Sequence, residues 1–335
     1  MAVFPNANVL AAAGLPQIHA IIQRTKALNV LEKNTVFYDL MMGDNVPKQS
    51  GRRIQWYRPL NFTDPASVSV SDGSTPGTGL TYNAAIIQCT LQNYTDYVLL
   101  SRQVTDVSPT PDLEDATARL TYRASLINEY VFRQAIDNES SGMSISALSG
   151  DFPSARDAHN IRVKLANKNV TRGAGSHGKQ FPIVMSPLHS YDFFNDPTAG
   201  GYMDVVKWNT PIAQSTPLLE YPDRGQVVAT IRGCDIIEST TVTVRAGAGT
   251  NGANLYRMYA LGYEAFGRVN LGGNSKRFQI NSRVIPVGSE LADPAGETGA
   301  YASFNGWVAA TVLDGNPTIG GDYRGYVIDA PSAVG

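Results

Sequence analysis

An α+β fold is the class this sequence predicts, on three observations. One long amphipathic helix pattern runs over about residues 111–139, and patterns of alternating strands lie on both sides of it. Helix and strand never alternate in the βαβ rhythm that a parallel α/β sheet requires. The chain has 335 residues, beyond the roughly 250–300 at which a single core stops growing, so two linked lobes are expected.

The helix is the clearest local signal. Thr110 offers an N-cap and Pro111 suits the first helical position, while Asp112, Glu114 and Asp115 place negative charge on the first turn. Leu113, Ala116, Leu120, Ala124, Ile127, Val131 and Ala135 recur at spacings of three and four. Asp115/Arg119 and Glu129/Arg133 read as acid-then-base pairs at i,i+4 on the polar side, and Gly142 ends the run. About 28 residues at a 1.5 Å rise give roughly 42 Å, long enough to act as a spine.

Before the helix, residues 1 to about 45 read as an arm. Ile18, Ile21, Ile22 and Leu28 hint at one helical piece, Val36 and Leu40 at another. Lys48, Arg52, Arg53 and Arg58 then form a basic run without an acid, and Arg53–Arg58 alternates as an exposed strand before Pro59. Ser67–Ser71 alternates strictly and meets the turn-rich tract Asp72–Gly79. The chain returns through Leu80, Tyr82, Ala84 and Ile86 to Cys89–Leu91 and Tyr94–Leu100. This is a long two-stranded excursion, and an isolated hairpin is marginal in water, so it needs a partner surface.

After a Ser/Gly/Pro break near 140–154, a helix is expected over about 155–168. Phe181–Ser186 reads as a buried strand, and a further helix begins near Pro187. Val227–Ile231 and Thr240–Val244 alternate as strands. The C-terminal third is strand and turn, with strands at Tyr256–Tyr263, Phe278–Val287, Phe304–Leu313 and Tyr323–Ile328.

Composition narrows the function. Hydrophobic residues make up 43% and charged residues only 17%, against a usual charged share of about 25%, which favours a surface in contact with other protein. A net charge of -2 does not mark a wholly basic nucleic-acid binder. Cys89 and Cys234 are the only cysteines and lack a CxxC-type spacing, so reduced thiols in a cytoplasmic setting are expected. The N-terminal apolar run lacks a basic n-region and is broken by Asn6, Asn8 and two prolines, unlike a signal peptide. No stretch approaches the roughly 18 apolar residues of a membrane span.

Motifs that carry chemistry fail on context. Gly173-Ala-Gly-Ser-His-Gly-Lys179 fits GxxxxGK, but Gln180 replaces the magnesium-binding Ser or Thr, and Phe181-Pro182 leads into a strand instead of a phosphate-holding helix. Gly247-Ala-Gly-Thr-Asn-Gly252 fits GxGxxG after the Thr240–Val244 strand, with Glu264 downstream as the ribose acid. It sits late in the chain and precedes a strand, so it reads as a hairpin turn. His19, His159, His177 and His189 show no metal-ligand spacing. Ser186-Pro187 lacks the GxSxG glycines, and Asp192, Asp196 and Asp204 form no acid–base pair. Neither an enzyme nor a cofactor is expected. The basic run Lys48, Arg52, Arg53 and Arg58 is left with three readings: pairing with a neighbouring subunit, facing nucleic acid, or a solvated strand.

The order of arm, basic hairpin, spine helix and mixed lobe resembles the major capsid proteins of tailed bacteriophages, the Hong Kong 97-like fold. The resemblance rests on Gly51-Arg-Arg-Ile54 leading to Pro59-Leu60, on Asn93–Val98 leading to Ser101, and on Tyr256-Arg-Met-Tyr-Ala-Leu-Gly-Tyr-Glu-Ala-Phe-Gly267. Asp293–Gly299 with Gly306–Ala310 completes it. It spans nearly the whole chain and takes its weight from the order of the motifs.

The resemblance implies an N-arm at 1–47, an E-loop region at 48–100, a P-domain at 101–154 carrying the spine, most of an A-domain at 155–290, and C-terminal strands returning at 291–335. It implies a homo-oligomer of hexamers and pentamers enclosing double-stranded DNA, contacted without sequence specificity, assembled in the host cytoplasm and residing in the virion. Portal and decoration proteins are candidate partners. So is a separate scaffolding protein, since no long cleavable coiled-coil segment precedes the arm. Some members weld subunits by a Lys–Asn isopeptide bond; nothing here assigns those residues. An encapsulin-like nanocompartment shell shares the fold and is the alternative, followed by a nucleotide-binding enzyme using a glycine tract.

Overall fold

The computed structural model describes residues 36–47, 51–59, 84–101, 112–139, 143, 152–170, 180–195, 226–231, 233–249, 252–271, 279–284, 298–313 and 324–332. Sequence expectations at 1–35, at Lys48 and Ser67–Tyr82, at the Thr110/Pro111 cap and Gly142, and at Gly173–Lys179 lie outside them.

The long helix forms as its pattern dictates and spans Asp112–Asn138 (α2), after a single turn at Phe37–Leu40 (α1). The first half of α2 buries Leu120 and Ala124 against Ala302, Phe304 and Val308. Its second half buries Phe132 and Ile136 in a different cluster, with Val36, Phe37, Tyr259 and Val327. One helix therefore contributes to two cores.

The first core lies on a five-stranded sheet of β1 (Met42–Val46), β4 (Gln92–Ser101), β10 (Phe266–Leu271), β11 (Gln279–Val284) and β12 (Thr298–Val312). The central strand is β12. Along one edge it pairs antiparallel with β4, while β10 and β11 share the other edge at its C-terminal and N-terminal halves. The strand β1 joins β10 in parallel, Met42 opposite Gly267 and Val46 opposite Leu271.

The second sheet has six strands in the order β13-β9-β5-β7-β6, with β8 also on β9. These are β5 (Phe181–Met185), β6 (Gln226–Ile231), β7 (Cys234–Glu238), β8 (Val244–Arg245), β9 (Leu255–Leu261) and β13 (Gly325–Pro331). Strands β5, β7, β9 and β13 are covered on both faces, which explains the uninterrupted apolar run of β5. Ile183, Ile236, Met258 and Ile328 face α3 (Ala155–Asn167) and α4 (Pro187–Asn195); Val184, Ile237, Tyr259 and Val327 face α1 and α2. Ser154 starts α3 with a capping box, its hydroxyl taking the Asp157 amide while Asp157 accepts from the Ser154 amide.

Three local readings change. Glu129 and Arg133 are not a solvent-face pair. Glu129 is 0% exposed and accepts from the Val36 amide at 2.6 Å, from the Phe37 amide at 3.0 and 3.1 Å, and from the Thr241 hydroxyl at 3.0 Å. Arg133 instead reaches the Thr241 carbonyl and lies 3.7 Å from Asp137. Asp115 and Arg119 do pair, at 2.8 Å.

The alternation Thr240–Val244 yields only the two-residue β8. Ser239 accepts from the Thr241 amide at 3.2 Å and shares a 2.7 Å hydrogen bond with its hydroxyl, and this local side-chain bonding turns the backbone out of the ladder. Tyr94–Leu100 belongs to β4 in the five-stranded sheet, not to the two-stranded excursion.

Replacing Glu129 by Ala would strand two buried amides and a hydroxyl. The expected loss is about 2–4 kcal/mol of unfolding free energy, measured by urea denaturation, against less than about 0.5 kcal/mol for Glu114→Ala on the exposed face.

Candidate assembly surface

Strands β2 (Arg53–Pro59) and β3 (Ala84–Thr90) form a separate antiparallel pair, Arg53 opposite Thr90 and Tyr57 opposite Ile86. Period-two alternation gives this ribbon two unlike faces. Ile54, Trp56 and Cys89 point inward and pack with Leu91, Val269, Leu271, Trp307 and Ala309, so the root of the ribbon finds its partner surface within its own chain. Burial pushes the Cys89 thiol up to about 11, which leaves it neutral and unreactive.

The other face is open. Arg53, Gln55, Tyr57 and Pro59 are exposed across from Thr90, Gln88, Ile86 and the half-buried Ala84. Tyr57 is 64% exposed and its cross-strand neighbour Ile86 is 55% exposed, so two large apolar side chains share one patch of water-facing sheet. On β4, Tyr97 and Leu99 are exposed in the same manner, beside Ser303 and Tyr301 of β12. That face is opposite the one on which Val98, Ala302 and Phe304 meet α2.

The four basic residues singled out in the sequence have different environments. Arg53 is exposed on the open face. The Arg52 guanidinium stacks 4.5 Å above the Trp307 ring, while its carbonyl accepts from the Leu91 amide at 2.8 Å. Arg58 turns inward, donating to the Leu313 carbonyl at 2.6 Å and lying 3.6 Å from Glu264. Lys48 lies outside the described residues.

Charge inside the protein gathers elsewhere, where α2 meets the six-stranded sheet. Arg257 donates to Asp329 at 2.7 and 2.9 Å and to Asp137 at 2.8 Å; Arg245 reaches Asp329 at 2.9 Å, and the Tyr259 hydroxyl donates to Asp137 at 2.9 Å. Hydrogen bonding to Asp329 leads the causes that push Arg257 further up. Burial alone would raise the Asp329 carboxyl, but hydrogen bonds from Arg257 and Arg245 outweigh it and hold it below the ordinary value of 3.8. No sequence spacing announced this network, because its members come from α2, β8, β9 and β13.

The remaining chemical candidates among the described residues make local structural contacts, while His19, His177, Asp196, Asp204 and the Gly173–Lys179 tract lie outside them. Ser186 accepts from the Leu188 amide at 3.3 Å as a helix-start contact. Asp192 accepts from the Ser332 hydroxyl at 2.8 Å, and His189 is buried against the Ala330 carbonyl at 3.0 Å. The GxGxxG tract leads into β9, not into a helix. Among the described residues no cluster of His, Cys, Asp and Glu is arranged to hold a metal ion, and no helix is long and apolar enough to cross a membrane.

The architecture is that of the Hong Kong 97-like phage capsid fold, as comparison with solved structures shows over almost the full chain. The capsid of Ralstonia phage GP4 superposes with a TM-score of 0.71 at 10% identity, covering 99% of this chain and 98% of that one. The capsid of cyanophage Pam1 gives 0.64 at 13% identity, with 99% and 100% covered. That of cyanophage P-SCSP1u gives 0.61 at 12%, with 94% and 93% covered. No protein-family model matches the chain, and no curated protein does.

The Asp329 network makes stability depend on acid. A carboxyl depressed by folding contributes fully above its ordinary value and loses that contribution as pH falls through its folded value. Thermal melting followed from pH 6 to pH 2 should therefore show a decline setting in near pH 4, and Asp329→Asn should melt lower at pH 6 with a shallower acid decline.

Proposed function

We propose that this chain is the major capsid subunit of a tailed bacteriophage, a structural and not a catalytic protein, which assembles as hexamers and pentamers into an icosahedral head around double-stranded DNA. The observation that carries the reading is the match of nearly the whole chain, end to end, with subunits whose structures are those of phage capsids. Residues 1–47 serve as the N-arm, 48–100 as the E-loop region, 101–154 as the P-domain with the spine helix, 155–290 as most of the A-domain, and 291–335 as C-terminal strands returning to the P-domain and the A-domain.

The ribbon of β2 and β3 supports this reading physically. Its inner face is occupied by its own chain, while its outer face offers Tyr57 and Ile86 to solvent, and such a pair gains by lying on a neighbouring copy. Arg53, on that same face, is the basic residue best placed to meet an acidic neighbour or packaged DNA. Arg52 and Arg58 spend their guanidinium groups within the subunit. Scaffolding, portal and decoration proteins are the further partners the reading calls for, with assembly in the host cytoplasm and final residence in the virion.

Expression of the chain with its scaffold should give megadalton particles with icosahedral outlines in negative stain. Nucleic acid in native particles fits a phage head; an enzyme cargo instead would make the shell a nanocompartment. A small oligomer that binds ATP or NAD would overturn the reading. Tyr57→Asp combined with Ile86→Asp should leave circular dichroism unchanged, since both side chains face water in the subunit, and should reduce particle yield at least about tenfold. Normal yield from the double variant would remove the ribbon from the interface.

A further inference from the structure

We infer that Glu264 is a positioning clamp that sets the angle of the β2–β3 ribbon relative to the body of the subunit. It lies in the four-residue connection Gly262–Ala265, which joins β9 of the six-stranded sheet to β10 of the five-stranded sheet. Its backbone has φ of 57°, a left-handed conformation that is costly for glutamate and natural for glycine or asparagine. Nothing in the turn's hydrogen bonding requires that side chain: the Gly262 amide donates to the Arg324 carbonyl at 2.7 Å, the Ala265 amide to the Gly262 carbonyl at 3.4 Å, and the Leu313 amide to the Ala265 carbonyl at 3.0 Å.

What the carboxylate does is gather three segments. One oxygen lies 3.6 Å from Arg58 of β2 and 3.5 Å from Arg324, which leads into β13. Arg58 simultaneously donates to the carbonyl of Leu313, the residue after β12. The ribbon, the end of the long central strand and the start of the last strand thus meet at one half-buried acid. The turn beneath it has no slack, because a side chain at Gly262 would come within 2.3 Å of Val170 and 2.5 Å of the Arg324 carbonyl. A strained acid on an immovable turn, facing the arginine of a projecting ribbon, is suited to hold direction more than to add stability.

The consequence for assembly rests on the shell reading above: a ribbon held at one angle selects one curvature between neighbours. The clamp itself is a property of the subunit and is tested separately. In the full chain, hydrogen exchange at the amides of 53–58 and 84–90 should quicken roughly three- to tenfold in Glu264→Asn and in Arg58→Ala. Asn accepts the left-handed backbone, so Glu264→Asn should keep or raise the melting temperature while loosening the ribbon. Unchanged ribbon exchange in both variants overturns the clamp. So does a Glu264→Asn protein that melts lower and exchanges faster throughout β9 and β10, because the residue would then be an ordinary support of the turn. Where wild type assembles, Glu264→Asn should give particles of mixed diameter; uniform wild-type particles overturn the link to curvature. If wild type forms no shell, the shell reading fails and the exchange result still decides the clamp.

Discussion

A single buried carboxylate organises the centre of this fold. Glu129 sits on the spine helix with no contact with water, and a charge in that position is tolerable only with a full set of donors. The donors come from two distant places, the amides that open α1 and the hydroxyl of Thr241. The carboxylate therefore fastens the start of α1 and the loop before β8 to the same turn of α2. Phe37 packs edge-on against Tyr259, with ring centroids 4.9 Å apart, and Tyr38 packs against Phe132 at 5.4 Å. The second core closes around those aromatic contacts.

Around that point the helix divides its labour. Its first half is an ordinary amphipathic helix on the antiparallel strands around β12. Thr117, Thr121 and Ser125 return their hydroxyls to the carbonyls of Leu113, Thr117 and Thr121, four residues back along one stripe. The second half carries charge inward, with Asp137 reaching Arg257, Tyr259 and Thr243. The same rigid element thus meets one sheet through apolar area and the other through a bonded charge network.

Periodic features were legible in the sequence and pairing was not. Three-and-four spacing placed α2, and the unbroken run Phe181–Ser186 read as a buried strand, which the structure shows at Phe181–Met185. Alternation at Tyr94–Leu100 identified a strand but carried no information on its neighbour, so its place beside β12 emerged only in three dimensions. Thr240–Val244 misled because hydroxyls can bond their own backbone as readily as they fit a pleat. Charge was the least legible of all. An acid–base spacing of four describes Asp115/Arg119 and Glu129/Arg133 equally well, although one pair is in water and the other is dismantled by burial. The basic run concealed a similar difference, since Arg53 faces out while Arg58 is consumed at the junction of the sheets.

The parallel pairing of β1 with β10 changes what the first residues of the chain mean for anyone who trims or tags it. The sequence reads as an arm up to about residue 45, yet Met42–Val46 supplies the outer strand beside Gly267–Leu271. Cutting at residue 47 would uncover the hydrogen-bonding edge of β10, a row of unpaired amides and carbonyls of the kind that recruits foreign strands. A fusion or a truncation must therefore at least spare Val36, whose amide donates to Glu129. A shorter product would be sticky for reasons unrelated to shell formation.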